Sequence, residues 1–192
     1  MTTAEMLQSR LEHKPGVMGA TITLRSGGYF DFLNPEGSAI RIEDIARGLS
    51  CVCRFNGQAS HGDGFYSVAQ HSVLVSLMVA PEHAFAALMH DAAEAYVGDM
   101  TRPLKQLCPD YKLIEKRVEA AIFKRFDIAT PLHPSIKHAD LRALRTEQRD
   151  LTSGSGDNWS GLDDFEPWPH RIEPARPAFA YNMFVSRFDE LA

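Results

Sequence analysis

The residue types best suited to chemistry lie in one short stretch of this chain, Leu-Met-His-Asp-Ala-Ala-Glu over residues 88–94. His90 and Glu94 are four positions apart and Asp91 and Glu94 three apart, so on a helix their side chains share one region of the surface. The alanines around them allow other helices to approach closely, which predicts that this trio lies inside a helical bundle. Two carboxylates and an imidazole buried without partners would cost several kcal/mol. A divalent cation would supply that partner.

Two side chains elsewhere in the sequence could complete a metal site. His71 lies one turn into a helix that opens with a capping-box pattern, beside an apolar stripe. Asp140 lies four positions from both Ile136 and Leu144, so its carboxylate points along an apolar row. A carboxylate in such a row is unusual unless a hydrogen-bond donor or a cation pairs with it. Two imidazoles and two carboxylates suit one divalent ion, with Mn, Co, Fe, Zn and Mg all left open. Such an ion would polarise a phosphoryl group and lower the pKa of a bound water.

The composition restricts where this protein works and what it binds. The net charge of -5 and an isoelectric point of about 5.9 argue against a nucleic-acid polymer or a lipid surface as partner. Cys51, Cys53 and Cys108 do not make a disulfide framework, which favours a reducing cytoplasm. Cys51-x-Cys53 with His61 is too small a set for a second zinc site, so packing explains it better. With no leader and no long apolar run, the sequence predicts a cytoplasmic protein without a membrane span.

The sequence predicts that these residues are positioned by helices, with one small β-hairpin. Strands are expected over Thr21–Leu24 and Tyr29–Leu33, separated by Ser-Gly-Gly. The opening segment to about Leu11 fits either a short helix or a loose tail. Caps and prolines predict the following helices: Ile42 to Cys53, one from Ser67, Pro81 to Val97, Pro109 to Phe126, Ser135 to about Leu151, and Pro177 to Leu191. The predicted fold class is therefore mainly α, a helical bundle with an N-terminal β-hairpin.

A chain of 192 residues is long enough for one domain with a substantial core. We expect a single domain over residues 1–192 with three parts. Residues 1–50 form the hairpin and a helix extension, residues 51–151 the metal-binding helical core, and residues 152–192 a loop and the closing helix. A homodimer is compatible with this organisation.

The ordered ligand set resembles that of the HD-domain metal-dependent phosphohydrolases. Their signature is a His, then a His-Asp doublet, then a distant Asp, and here these are His71, His90-Asp91 and Asp140. Flanking segments are similar to those of bacterial 5'-deoxynucleotidases and related phage deoxynucleotide triphosphohydrolases. The similar segments are Arg-Phe at 54–55, Tyr-Ser-Val-Ala-Gln-His-Ser at 66–72, His-Asp-Ala-Ala-Glu at 90–94, Gly-Asp at 98–99 and Pro-Leu-Lys at 103–105. The match covers roughly residues 51–151 and implies an HD-domain helical bundle.

The resemblance also implies roles for five side chains around the metal. Glu94 would be the acid/base that activates the attacking water, and Arg54 and Lys105 would hold phosphate. Asp99 would meet the sugar or a second water. Phe55 stands where the deoxynucleotidases carry a tryptophan associated with excluding ribonucleotides, so the choice of sugar is left open. We expect Phe55 to pack against the sugar or the base.

The function that these features imply is hydrolysis of phosphate from a small anionic substrate, a nucleotide. The leading hypothesis is that the protein is a 5'-nucleotidase, which acts on (deoxy)nucleoside monophosphates with a metal-activated water. A deoxynucleoside triphosphate triphosphohydrolase and a catalytically silent, nucleotide-binding HD regulatory module are the alternatives. Retention of Glu94 beside a complete ligand set argues against the silent module, which would need no acid/base.

Simpler explanations exist for several of the same residues. The trio at 90–94 could form a solvated helix face, or a buried histidine paired with a carboxylate. Asp140 could pair with arginines of its own helix. Arg54 and Lys105 could be ordinary surface cations, and Asp99 could cap the turn that follows Gly98. The ordered set as a whole, rather than any one member, favours the metal site.

Overall fold

The structure is a computed structural model that describes residues 19–59, 65–153, 157, 159 and 161–192. The segment up to about residue 11, expected as a helix or a tail, and His61 lie outside these described residues. Within them, no helix is long and apolar enough to cross a membrane.

The described chain is mainly helical, with one small antiparallel hairpin near its N-terminal end. The strands are β1 (Thr21–Thr23) and β2 (Tyr29–Asp31), with Ile22 opposite Phe30. Two short 3-10 helices span Pro35–Gly37 and Arg54–Gly57. The α-helices are α1 (Ile42–Cys51), α2 (Val68–Leu77), α3 (Pro81–Leu88), α4 (Glu94–Val97), α5 (Arg102–Leu107), α6 (Pro109–Arg125), α7 (Pro134–Leu151) and α8 (Pro177–Leu191). The predicted fold class, mainly α with a hairpin, is confirmed.

Local sequence signals explain where most helices begin. Proline occupies the first turn of α3, α6, α7 and α8, where its missing N–H costs no intrahelical bond. Ser67 caps α2 because its hydroxyl accepts a hydrogen bond from the Gln70 amide at 3.2 Å. Helix α5 was not predicted, and it carries Lys105.

Helix α2 is the central element of the fold. It packs against α1, α3, α7 and α8, and most of its residues are buried. A helix covered on several sides does not need one apolar and one polar face, so its sequence lacks the one-sided pattern of a surface helix. This placement brings His71, which is fully buried, to the middle of the molecule.

The prediction of one continuous helix from Pro81 to Val97 is wrong. Helix α3 ends at Leu88, residues 89–93 form turns, and α4 begins at Glu94. The His90 ring explains the break, because its Nδ1 contacts the Ala87 carbonyl oxygen at 2.7 Å. A continuous helix would leave that carbonyl to the amide of Asp91.

The break changes how the His-Asp doublet is displayed. Instead of i to i−4 bonds, the turn has i to i−3 bonds, with the Glu94 amide donating to the Asp91 carbonyl at 2.9 Å. The doublet therefore lies on a tight turn between two helices, and Glu94 begins the next helix. The expectation that the trio shares one face of a single helix does not hold, although the turn still keeps the three residues together.

Two close contacts hold α4 in place behind this turn. The ring of Phe30 in β2 stacks on Tyr96 of α4, with ring centroids 4.0 Å apart. On α1, a Cβ built at Gly48 would lie 2.6 Å from the carbonyl oxygen of Ala95. Helices α1 and α4 can approach this closely only because Gly48 has no side chain. The hairpin and α1 thus fix the helix that starts with Glu94.

Candidate metal centre

Three separate elements bring the predicted ligands together. His71 comes from the central helix α2, His90 and Asp91 from the turn between α3 and α4, and Asp140 from α7. Ligand atoms of His71, His90 and Asp140 all lie within 4.8 Å of one another. This cluster could hold a metal ion.

The distances within the cluster match the spacing of ligands around one ion. The Nε2 atom of His71 lies 3.3 Å from Asp140 Oδ1 and 3.5 Å from Asp91 Oδ2. The Nε2 atom of His90 lies 3.2 Å from Asp91 Oδ2 and 4.0 Å from Asp140 Oδ1. With metal–ligand bonds of about 2.0–2.2 Å, neighbouring ligands stand roughly 3–4 Å apart. His71, His90 and Asp140 are therefore spaced as ligands of a common cation would be, and Asp91 Oδ2 lies 3.5 and 3.2 Å from the two imidazole Nε2 atoms without belonging to that mutually close set.

The hydrogen bonds of the two imidazoles leave the same ring atom facing the cluster. His71 Nδ1 lies 2.6 Å from Glu147 Oε1, and His90 Nδ1 lies 2.7 Å from the Ala87 carbonyl oxygen. Carbonyl and carboxylate oxygens only accept, so each Nδ1 carries the proton and donates it. Both Nε2 atoms are buried and have no hydrogen-bond partner in the described structure. Each Nε2 faces carboxylate oxygens 3.2–4.0 Å away, so a cation, either a proton or a metal ion, is the partner that completes this arrangement.

The charges of the cluster also suit a cation. Burial opposes ionisation of Asp91, but the imidazoles of His90 and His71 outweigh burial and hold the pKa of this carboxyl well below its usual range. Burial likewise opposes ionisation of Asp140, and His71, His90 and Lys137 lower its pKa. Both carboxylates are therefore ionised at neutral pH, and together they balance a divalent ion.

His71 takes up a proton when no metal neutralises these carboxylates. Burial and the nearby Arg54 guanidinium lower its pKa, but Glu147 and Asp140 outweigh them and raise it to about 9. In the metal-free site at neutral pH, this imidazole is therefore cationic. A metal ion that binds there must displace the proton from Nε2.

Glu94 lies beside the cluster but outside it. It lines an acidic cleft of about 160 Å³ formed by His90, Asp91, Ala93, Glu94, Lys105, Glu115 and Glu119. Glu94 is 5% exposed, and its Oε2 has no hydrogen-bond partner in the described structure. Burial raises its pKa, as do the charges of Asp91 and Asp99, while Arg54 and Lys105 oppose them. A buried carboxyl with a raised pKa is equipped for acid–base chemistry.

Arg54 and Asp99 lie next to Asp91 at the edge of the cluster. The Nη1 atom of Arg54 lies 4.0 Å from Asp91 Oδ2 and 3.7 Å from Asp99 Oδ2. Burial opposes the charge of Arg54, but Glu147, Asp99 and Asp91 outweigh burial and raise the pKa of the guanidinium. Arg54 is thus a buried, permanently charged group rather than a solvated surface cation.

Phe55 lies against Arg54, and Lys105 is paired with Glu115. Phe55 has a φ of +56°, a conformation that L-residues rarely adopt, and its ring contacts the Arg54 guanidinium at 5.5 Å and Trp159 at 6.1 Å. The Nζ atom of Lys105 donates to Glu115 Oε1 at 2.7 Å within the acidic cleft. Lys105 therefore reaches the same cleft as Glu94, while Phe55 stands against Arg54.

A second, larger cleft borders the cluster on the α6–α7 side. This apolar-walled cleft of about 410 Å³ has ligands His90, Asp91 and Asp140 along one edge. Its other wall is mostly apolar and comprises Phe123, Pro131, Leu132, Pro134 and Ile136, with Glu119, Thr130, His133 and Lys137 around them. The cluster is thus accessible from two clefts of different character.

Sequence reasoning missed one residue that touches both sides of the site. Glu147 is fully buried on α7 and bonds His71 and Arg54. It lies seven positions after Asp140, so two helical turns place both carboxylates on one face. That spacing was the available signal, but a glutamate among arginines in a helix also fits a solvated face.

A mainly helical fold with a partly buried histidine and aspartate cluster defines this chain as a helical protein with a candidate metal centre. No protein-family model matches it. It is 44% identical over 165 residues to the uncharacterized protein YfdR of Escherichia coli K12, covering 85% of this chain and 90% of that protein. It is 39% identical over 142 residues to an uncharacterized protein of Rhodobacter capsulatus, covering 68% and 72%. The chain therefore belongs to the family of YfdR.

Proposed function

We propose that this protein is a metal-dependent phosphohydrolase of the HD-domain kind that acts on a nucleotide. The observation that carries the proposal is the pair of imidazoles, His71 and His90, whose buried Nε2 atoms make no hydrogen bond in the described structure and face carboxylate oxygens at 3.2–4.0 Å. Glu94, also buried and without a partner at Oε2, lines the same cleft as His90. A resident cation accounts for the imidazoles, and a catalytic role accounts for the glutamate.

The chemistry follows from these positions. His71, His90, Asp91 and Asp140 would hold one divalent ion, chosen among Mn, Co, Fe, Zn and Mg. When bound, the ion would polarise a phosphoryl group and acidify a water. Glu94 would orient the attacking water and accept its proton, because its raised pKa makes it a stronger base than a solvated carboxylate. As the water oxygen bonds to phosphorus, the bond from phosphorus to the nucleoside oxygen would break, and the proton held by Glu94 would pass to that leaving oxygen.

Cationic groups around the cluster would receive the phosphate. Arg54 bonds Glu147 through Nε and Nη2, which leaves Nη1 directed towards Asp91 and Asp99. That nitrogen would contact phosphate oxygens, and Lys105 would add a second positive charge after leaving its carboxylate partner. Asp99 would meet the sugar or a second water.

The rest of the substrate would be a nucleoside. The apolar-walled cleft, at about 410 Å³, falls within the range of small-molecule sites, about 300–1,000 Å³. We propose nucleoside monophosphates as substrates and a cytoplasmic location where such nucleotides are available. Phe55 does not line this cleft, so its predicted packing against the sugar or base would require that part of the substrate to extend towards Arg54, which the Phe55 ring contacts at 5.5 Å.

A screen of nucleoside mono-, di- and triphosphates with Mn, Co, Mg and Zn tests this proposal. Release of inorganic phosphate from monophosphates alone is the expected result. Release of tripolyphosphate from deoxynucleoside triphosphates would instead identify a triphosphohydrolase. Nucleotide binding without turnover, in protein shown to contain metal, would contradict enzymatic activity and identify a regulatory module.

A further inference from the structure

Glu147 is a buried carboxylate with two charged or polar partners, one at each oxygen. Its Oε1 accepts a hydrogen bond from His71 Nδ1 at 2.6 Å. Its Oε2 accepts from Arg54 Nε at 3.2 Å and from Arg54 Nη2 at 3.0 Å. Glu147 is fully buried, and burial opposes its charge, but Arg54 and His71 outweigh burial and lower its pKa.

Each of these contacts fixes a different functional group. The bond to His71 holds the proton on Nδ1 and thereby presents Nε2 to the metal cluster. The bonds to Arg54 fix the plane of the guanidinium and leave Nη1 near Asp91 and Asp99. A single carboxylate on α7 therefore orients both a candidate metal ligand on α2 and the cation nearest the cluster.

We propose that Glu147 is a positioning residue that serves metal binding and phosphate binding together. The effect on the metal rests on the contact with His71 alone. The effect on phosphate rests on the function proposed above, because it requires Arg54 to meet the substrate.

The two contacts require two acceptor oxygens, which only a carboxylate provides at this position. Glutamine has one acceptor oxygen and an NH₂ group that can only donate. In Glu147→Gln, the amide oxygen can accept from His71 or from Arg54, and the other donor is left facing an NH₂ group. If the oxygen turns to Arg54, the His71 ring loses the acceptor that keeps its proton on Nδ1. The buried charge that compensates Arg54 is lost in either orientation.

The test compares Glu147→Gln with Asp150→Asn, a matched control on the same helix. Asp150 is also a buried carboxylate of α7, but it bonds Arg149 and the Ile172 amide, away from the cluster. Both variants remove one buried negative charge from α7, so both report general destabilisation. Only the first variant removes a contact to the candidate metal ligand.

The primary measurement is the affinity for Mn²⁺ alone, by calorimetric titration of the full chain at a pH high enough that no proton competes with the ion for His71 Nε2 in either variant. Loss of an orienting partner of a metal ligand typically weakens metal binding by about 10–100-fold, and we expect this loss in Glu147→Gln. Asp150→Asn should stay close to wild type. Unchanged Mn²⁺ affinity in Glu147→Gln, or an equal loss in both variants, would overturn the proposal. Neither result depends on any enzymatic activity.

The second measurement is the binding of inorganic phosphate to the Mn²⁺-saturated protein. We expect Glu147→Gln to bind phosphate about tenfold more weakly than wild type, since a charge-assisted contact is displaced, whereas Asp150→Asn should not. If Glu147→Gln does not fold, the Mn²⁺ and phosphate titrations are made on Glu147→Asp instead. That variant keeps the negative charge, but its side chain is one methylene group shorter. A phosphate affinity that stays at the wild-type value would contradict the proposal that Glu147 orients Arg54 for phosphate binding. The nucleotide screen tests the proposed hydrolytic activity separately.

Discussion

At the scale of single side chains, Glu94 is defined by the absence of a donor to its Oε2 in the described structure. Burial and the charges of Asp91 and Asp99 raise its pKa, and Arg54 and Lys105 do not fully offset them. An ordinary buried glutamate would be paired, because an unpaired one reduces stability. Residues that are retained at such a cost are candidates for acid–base chemistry.

Glu94→Gln keeps the shape of the side chain but removes its ability to accept a proton. We expect kcat to fall by about 10²–10⁴-fold, the usual contribution of a general base, with KM nearly unchanged. Steady-state kinetics together with metal analysis of the purified variant provide the measurement. Asp150→Asn, which changes a buried carboxylate that lines neither cleft, is the control and should keep kcat near the wild-type value. Near-normal turnover by Glu94→Gln with metal bound would exclude Glu94 as the base.

The protonation of His71 predicts how metal affinity depends on pH. In the metal-free site its pKa is raised from an ordinary 6.5 to about 9, so a proton competes with the metal for Nε2. The apparent Mn²⁺ affinity should therefore increase about tenfold per pH unit as pH rises towards 9, and then level off. Titrations in matched buffers between about pH 6.5 and 9.5 measure this dependence. An affinity that is flat over that interval would show that His71 does not exchange a proton for the ion.

The same linkage acts on the stability of the metal-free protein. Because the folded-state pKa of His71 lies above its unfolded value of 6.5, the protonated side chain stabilises the fold fully only below about pH 6.5. That contribution should be lost as pH rises through about 9. Excess chelator during denaturant unfolding isolates the metal-free state. If its stability did not decrease over this interval, the raised pKa of His71 would be contradicted.

Residue types and their order were enough to predict the cluster. His71, His90 and Asp140 come together in the structure as the sequence pattern indicated. Glu147 was not predicted, because its importance depends on which of its neighbours is buried, and a sequence does not show that. The lack of a donor to Glu94 Oε2 in the described structure was equally unpredictable, since it depends on which side chains approach that oxygen.

At the scale of elements, the turn between α3 and α4 shows how a side chain can redirect the backbone. Propensity and the run of alanines favoured a helix through residues 81–97, but the His90 ring bonds the Ala87 carbonyl. That bond replaces one helical hydrogen bond and permits the tight turn at 89–93. Helix starts were predicted well because proline and serine act locally, whereas this break depends on a ring finding its acceptor.

The close crossing of α1 and α4 predicts that a single methyl group added at Gly48 reduces the stability of the protein. In Gly48→Ala, the new Cβ would lie 2.6 Å from the Ala95 carbonyl oxygen and 2.8 Å from its Cα, so backbone must move. Overpacking of this kind typically reduces stability by about 1–3 kcal/mol. Denaturant unfolding measures the loss. Gly28→Ala, whose Cβ would lie 3.4 Å from the Ala39 Cβ, is the control and should unfold close to wild type. Equal stability of the two variants would contradict a tight α1–α4 contact.

At the scale of the whole molecule, the site depends on segments far apart in the sequence. His71 belongs to α2, the His-Asp doublet to the turn after α3, and Asp140 to α7. An ion bound by all three would connect elements that also meet through apolar packing and through the hydrogen bond between Glu147 and His71. The mainly helical class was predictable from prolines, caps and periodicity. The arrangement around α2 was not, because a helix buried on several sides carries no directional pattern.

Removal of the metal should therefore lower the stability of the entire fold. A ligand that binds only the folded chain stabilises it by about 2.7 kcal/mol when its free concentration is 100 times its Kd. We expect Tm to rise on addition of Mn²⁺ and to fall again with excess chelator. His90→Ala serves as the control and should not respond to Mn²⁺. If the Tm of the wild-type protein changed neither with Mn²⁺ nor with chelator, a structural contribution of the ion would be contradicted.

The most direct test of the candidate metal centre is anomalous diffraction from crystals grown with Mn²⁺. The predicted result is one peak bonded to Nε2 of His71 and His90 and to carboxylate oxygens of Asp91 and Asp140, at about 2.0–2.3 Å. The Nδ1 atoms of both rings should remain bonded to Glu147 and to the Ala87 carbonyl. A map without a peak at this cluster under saturating Mn²⁺, or with the ion held by other residues, would contradict the metal centre and the hydrolytic mechanism built on it.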